Sequence, residues 1–160
     1  MQKFSDYVLV KETIYTILWS LSPFGEAKVG IPYGIANDLN PFFVFVIALG
    51  ANILVFPMML FFLNYINSSL LRWRFYKKAA IWVARRAKTG SGDKITKYGF
   101  WGLMFFVSIP LPGTGVYAGT IATYIFKIER KKAFWANVLG ITVSSIIVWV
   151  TTYLTVQGVA

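Results

Sequence analysis

The sequence predicts an all-α polytopic membrane protein, an inverted repeat of a re-entrant helical hairpin plus a transmembrane helix, with interfacial amphipathic helices. Hydrophobic residues make up 57% of the 160 positions and charged residues 14%, whereas soluble domains carry about 25% charged residues. Two long apolar runs and the separation of positive charge from them support the same class. The length suits one membrane domain, 1–160, comprising a first half-repeat (1–66), a basic connector (67–98) and a second half-repeat (99–160).

The first half-repeat begins with residues 3–12, whose mixed polarity predicts a short surface helix. Residues 13–24 and 29–38 then predict the two arms of a hairpin, because each apolar arm is too short to cross a bilayer. The segment between them, residues 23–28, contains Pro, Gly and charged residues. It predicts the break at which the chain reverses.

Two apolar runs are long enough to be transmembrane helices. At about 1.5 Å per residue, a helix over residues 41–66 reaches roughly 39 Å, which exceeds the hydrocarbon core of about 30 Å. We predict a full span here, with a kink at Pro57. Residues 133–156 carry no charge and predict the second full span.

The net charge of +10 lies in two hydrophilic segments. Residues 67–98 hold nine Lys and Arg against one acid, and residues 127–132 hold four against one. Loops rich in Lys and Arg stay cytoplasmic, so both segments are expected on the cytoplasmic side of the plasma membrane in a multi-pass topology. Within the connector, residues 70–88 mix aromatic and basic residues and predict a helix lying on lipid headgroups.

The apolar stretch 99–126 must then leave and return to the cytoplasmic side. Its two arms, 99–109 and 116–126, would each be about 16 Å long and reach roughly to mid-bilayer. The Pro110-Leu111-Pro112-Gly113-Thr114-Gly115 break lies where the chain must reverse, which predicts a second re-entrant hairpin. The competing topology is a third full span, which would place the second basic segment outside.

The two halves repeat the same order in opposite orientations, which is typical of transporters built from inverted repeats with broken helices. The sequence also echoes itself weakly, because Pro23 and Gly30 recur 89 residues later as Pro112 and Gly119.

Glu26 and Lys28 are the ionisable residues that the sequence places within an apolar membrane segment. A charge at the bilayer centre costs about 2.5–3.5 kcal/mol on insertion scales, so such residues usually face a partner or a wet cavity. Free backbone amides near Lys28 and Thr114 could hold a phosphate or carboxylate. The candidate site therefore comprises Glu26, Lys28, Pro110, Pro112, Gly113, Thr114 and Gly115. Asn52, Asn137 and Tyr117 either line this site or bridge helices.

Several function classes are excluded. The chain has no Cys and no His, which excludes disulfides, zinc sites with Cys or His ligands and Ser-His-Asp triads. We expect no enzyme, no cofactor and no metal site. Residues 88–94 lack the spacing of a phosphate loop, and membrane orientation explains the basic segment without a nucleic acid. The expected partners are membrane lipids and an amphipathic substrate, and the sequence leaves a homodimer open.

Two motifs resemble a known family. Lys97-Tyr98-Gly99 followed by Phe105-Phe106-Val107-Ser108-Ile109-Pro110-Leu111-Pro112-Gly113-Thr114-Gly115 resembles the small multidrug export protein family, which is distantly similar to the DedA/VTT-domain proteins. The family's Glu-x-Arg-x-x-Ile-Pro-x-Gly motif is matched by Glu26-Ala27-Lys28-Val29-Gly30-Ile31-Pro32-Tyr33-Gly34, with Lys28 in place of Arg. The resemblance adds Pro32 to the candidate site and implies facing re-entrant hairpins in a plasma membrane.

Three functions remain open. The DedA resemblance implies ion-coupled translocation of a lipid-linked phosphate, although the arginines that DedA proteins carry near the second hairpin are missing between Lys97 and Lys127. The family name implies drug efflux, and the second hypothesis is efflux of hydrophobic cations, with Glu26 as counter-charge and aromatic contacts from Phe24, Tyr33 and Tyr117. A third hypothesis is a membrane-shaping or partner-binding protein that acts through residues 67–98.

Overall fold

The computed structural model describes residues 2–66, 72, 74, 78, 81, 85, 98–111 and 114–158, which form helices and connecting turns. Most of the basic connector, including most of the helix predicted at 70–88, lies outside the described residues. The helices with defined bounds are α1 (Gln2–Leu21), α2 (Glu26–Ala36), α3 (Pro41–Phe61), α4 (Phe100–Ser108), α5 (Val116–Ile125) and α6 (Arg130–Gly158).

Both predicted spans are confirmed as helices long and apolar enough to cross a membrane. The first is α3 with its π-helical extension, Pro41–Ile66, and the second is α6. Only 33% and 39% of their most apolar windows are buried within the protein, so most of this apolar surface faces outward, where lipid would cover it. Asn40 caps α3, because its Oδ1 accepts the backbone N–H groups of Phe42 and Phe43 at 3.0 and 3.1 Å.

The prediction for the N-terminus is wrong. A single 20-residue helix, α1, replaces the short surface helix and the separate apolar arm. The segment contains no Pro or Gly. The charged residues at its middle, Lys11 and Glu12, have partners, so the helix need not end there. The Tyr33 hydroxyl donates to Glu12 Oε2 at 2.5 Å, and Lys11 Nζ lies 3.6 Å from Glu12 Oε1.

The two predicted breaks are present, with revised bounds. The first is shorter than expected, because α2 already begins at Glu26 and therefore contains Lys28. The second lies between α4 and α5, at residues 109–115, within which Pro112 and Gly113 are outside the described residues. The helix α3 continues through Pro57, and the change in its hydrogen bonding comes later, at the π-helix Phe62–Ile66.

The long helices α3 and α6 pack together, and each also contacts a short helix that is distant from it in the sequence. Thus α2 packs on α6 and α5 packs on α3, in addition to the contacts within each half. The buried core shows the same contacts. Val55 and Phe56 of α3 belong to a hydrophobic cluster whose other buried members lie in residues 103–141. Val148 and Trp149 of α6 pack against a second cluster, whose buried members lie in residues 27–48.

The arms α2 and α5 end in the same way. Asp38 and Lys127 follow them with φ values of 61° and 53°. The next residue in each case donates its backbone N–H across the turn, Leu39 to Gly34 and Ile128 to Thr123, both at 3.1 Å. This is the Schellman arrangement for closing a helix. The two turns are 89 residues apart, the same spacing as the echoes in the sequence.

Candidate functional site

The two helix breaks are joined by contacts of the residues that flank them. Lys28 Nζ, on α2, donates to the Leu111 carbonyl of the second break at 2.8 Å. The backbone N–H of Tyr117, in the first turn of α5, donates to Glu26 Oε1 at 3.4 Å. The Tyr117 hydroxyl also donates to the Leu21 carbonyl at the end of α1. The end of α1 and the start of α2 therefore contact the second break and the start of α5 through charged side chains and polar groups.

Glu26 is buried in this contact, with 5% of its surface exposed. Its φ of 54° lies in the left-handed region, which a residue with a Cβ rarely adopts. Such strain persists only where the surrounding structure holds it, and it concentrates at functional sites. The glycine at position 115 makes room for the carboxylate, because a Cβ there would lie 1.5 Å from Glu26 Oε2.

Glu26 and Lys28 form a buried ion pair. Their Oε2 and Nζ atoms are 3.3 Å apart, and the side chains are 7% and 14% exposed. Removing one partner of such a pair leaves an uncompensated charge, at a cost of about 3–5 kcal/mol. The carboxylate also lies at the N-terminal end of α5, where unpaired amides and the helix dipole favour a negative charge.

A cavity of about 10 Å³ lies beside the pair. Glu26, Lys28 and Gly115 line it together with Asn52, Ser144 and Ser145. This volume suits about one water-sized occupant. The buried oxygens Asn52 Oδ1, Ser144 Oγ and Ser145 Oγ have no hydrogen-bond partner among the described residues.

Of the other residues predicted for the candidate site, those that the structure describes do not line the cavity beside the ion pair. Thr114 Oγ1 donates within its own turn, to the Ile109 and Leu111 carbonyls at 2.7 and 2.8 Å, and so stabilises the break. Pro110 is exposed beside it. Pro32 lines a separate depression with threonines of α6. Pro112 and Gly113 lie outside the described residues.

Asn137 and Tyr117 act between helices. A Cβ on Gly119 of α5 would lie 2.2 Å from Asn137 Oδ1 of α6, so this asparagine fills the space that the glycine leaves. Tyr117 links α5 to α1 through its hydroxyl and to Glu26 through its backbone. Asn52, by contrast, faces the cavity.

The sequence reasoning missed three polar residues. Ser144 and Ser145 are 3% and 2% exposed and reach the cavity from α6. The signal that could have found them is a pair of adjacent hydroxyls inside an otherwise apolar span. Glu12 is a second buried acid, at 8% exposure, which was assigned to a surface helix because the start of α1 is polar.

No group of three or more acidic side chains is placed to hold a metal ion in the part of the chain that the structure describes. The chemistry of the site is therefore that of one carboxylate, one ammonium, backbone groups and neutral oxygens. Such a set can bind and release a charged group, and it can exchange one ion partner for another.

One comparison with known proteins gives a match. Residues 26–147 match the family model described as "Putative small multi-drug export protein". No curated protein and no solved structure matches the chain. The matched segment begins at Glu26, directly after the first helix break, contains the second break and covers well over half of the 160 residues. The chain is thus a membrane protein that belongs to the small multidrug export protein family.

Proposed function

We propose that the chain is a transporter that moves a lipid-linked phosphate, or a similar amphipathic anion, across the plasma membrane. The observation that carries this proposal is the position of the Glu26 carboxylate, which lies between Lys28 and the first amides of α5. A negative group of the protein thus already occupies a place suited to an anion. A carboxylate and an ammonium that can exchange partners suit the binding and release of a charged substrate, which supports transport.

The substrate anion would compete with Glu26 for Lys28. A cation that neutralises Glu26, a proton in this proposal, would release the ammonium, so that one positive charge would accompany one anion. The cavity beside the pair holds only about 10 Å³, so the two breaks must separate before a phosphate enters. Rocking of one half against the other is the expected motion.

A groove elsewhere supports a lipid-like substrate. The end of α3 and the start of α6 enclose an open groove of about 470 Å³. Arg130 and Lys131 line it together with aromatic and aliphatic side chains, among them Phe61, Phe134 and Trp135. This combination suits a phosphate headgroup with an apolar chain, or an anionic lipid of the membrane.

We also propose that the two breaks belong to re-entrant hairpins in an inverted repeat, with both basic segments cytoplasmic. The equivalent ends of α2 and α5, 89 residues apart, support the repeat. Membrane-impermeant thiol labelling tests the topology, because the chain has no cysteine. Cysteines at Asn40 and Lys127, both exposed, should react from opposite sides of the membrane. Labelling of both from one side would refute this arrangement.

Translocation of a fluorescent polyprenyl phosphate in proteoliposomes tests the function. We expect Glu26→Gln and Lys28→Ala to lower the rate at least tenfold. Glu129→Gln and Lys132→Ala are the matched controls, because they alter an exposed Glu–Lys pair at 2.9 Å on the same protein. Exposed pairs contribute little, so the controls should keep the wild-type rate. Wild-type rates in both site variants would refute the proposal.

Efflux of hydrophobic cations is the second candidate, because the family description names multi-drug export. Glu26 would then be the counter-charge of the substrate, but Lys28 at 3.3 Å already neutralises it. Gradient-driven uptake of a lipophilic cation into inverted vesicles, abolished by Glu26→Gln, would favour efflux over anion transport.

A further inference from the structure

Two buried hydroxyls beside Glu26, those of Ser144 and Ser145, depart from the pattern that most helical hydroxyls of the described residues follow. Nine Ser and Thr hydroxyls of the described helices donate to the carbonyl four residues earlier: Thr13, Thr16, Ser20, Ser108, Thr120, Thr123, Thr142, Thr151 and Thr155. This bond is the usual way for such a residue to be satisfied in a helix. Ser144 and Ser145 do not make it, although they are 3% and 2% exposed.

Asn52 adds a third such oxygen from the facing helix. Its Oδ1 has no hydrogen-bond partner among the described residues, and the residue is 2% exposed. Buried polar groups without a partner are costly, so native structures leave few of them without a ligand, ion or water. These oxygens come from α3 and α6 and line the same small cavity as Glu26.

We propose that this cavity binds one Na⁺ ion between the Glu26 carboxylate and the oxygens of Asn52, Ser144 and Ser145. An all-oxygen set with a carboxylate suits a hard cation. The volume, about 10 Å³, accepts one occupant the size of a water molecule. The Lys28 ammonium, 3.3 Å from Glu26, repels a divalent ion more strongly than a monovalent one.

The ion has a direct consequence for Lys28. Na⁺ beside Glu26 neutralises the carboxylate that holds the ammonium, so Lys28 becomes available to an anion. This step rests on the proposed function and makes Na⁺, in place of a proton, the coupling ion of that site. By linkage, Na⁺ and the anion must then raise each other's affinity by the same factor.

Equilibrium binding of ²²Na⁺ to the purified full-length protein in detergent tests the site without any transport measurement. We expect saturable binding of one Na⁺ per chain. Asn52→Leu, Ser144→Ala and Ser145→Ala should each weaken it about tenfold, because each removes an oxygen that contacts the charged ion. Thr142→Val is the matched control, because Thr142 is on the same helix and its hydroxyl donates to the Val138 carbonyl. Its affinity should equal that of the wild type.

Decyl phosphate binding, measured with and without Na⁺, tests the linkage. A tighter apparent affinity in Na⁺ than in choline at constant ionic strength supports the coupling. A single trapped water in the cavity predicts no saturable ²²Na⁺ binding, and that result would overturn the inference. The alanine variants remove only one atom each, and a monodisperse elution profile shows that they remain folded. Translocation that depends on Lys28 and Glu26 but not on Na⁺ would sink the inference and leave the proposed function standing.

Discussion

Gly115→Ala tests the contact between the two breaks most directly. The new Cβ would lie 1.5 Å from Glu26 Oε2, whereas ordinary contact begins near 3.4 Å. The carboxylate must therefore retreat by roughly 2 Å, which removes it from the Tyr117 amide. Gly115 has a φ of −89°, which an alanine adopts without strain. The cost is therefore steric, and overpacking of this kind destabilises by about 1–3 kcal/mol.

We expect Gly115→Ala to reduce polyprenyl phosphate translocation to the level of Glu26→Gln. Unfolding in mixed micelles by added SDS should show the loss of stability. Gly50→Ala is the matched control, because no other group lies within 4 Å of a Cβ at that position of α3. It should leave both the rate and the stability unchanged or slightly improved.

A double-mutant cycle separates this clash from a general effect at residue 115. In a Glu26→Ala background the carboxylate is gone, so Gly115→Ala should cost less than about 0.5 kcal/mol, the usual limit of additivity. The same cost in both backgrounds, or wild-type translocation by Gly115→Ala, would refute the inferred contact between the breaks.

Three further predictions concern the packing around the site. Tyr33→Phe removes the hydroxyl that donates to Glu12 and should lower the free energy of unfolding by about 1–3 kcal/mol. An unchanged midpoint of unfolding by SDS would contradict the burial of Glu12. Gly119→Ala places a Cβ 2.2 Å from Asn137 Oδ1 and should cost about 1–3 kcal/mol, a cost that Gly119→Ala combined with Asn137→Ala should relieve. Thr114→Val removes the hydrogen bonds to the Ile109 and Leu111 carbonyls and should lower translocation several-fold, whereas Thr114→Ser should keep it; equal activity of both variants would show that the hydroxyl is dispensable.

The sequence predicted much of the secondary structure because its signals are local. Apolar runs of sufficient length gave the two long helices, and Pro and Gly marked both breaks. The prediction is wrong at α1, where polar residues give way to apolar ones within a single helix. The helix continues there because Tyr33, on another helix, satisfies Glu12, and such a contact leaves no trace in the periodicity of α1.

The candidate site was predictable only in part. Glu26 and Lys28 stood out because charge is expensive in an apolar segment, and the structure brings them to the second break. Thr114 was predicted as part of the candidate site, and its hydroxyl closes its own turn. Ser144 and Ser145 gave a weak signal, since serine in a membrane helix usually bonds to its own backbone.

The amino-acid order by itself determined the class of this protein, because hydropathy, charge and helix-breaking residues act along the chain. Which polar groups converge was decided only by the packing of α3 on α6 and of each break on the other. Asn52 and Ser145 lie in different halves of the sequence and line one cavity with Glu26. Both residues reach the cavity because their helices turn that face toward the protein interior. Which face turns inward depends on every neighbour against which the helix packs.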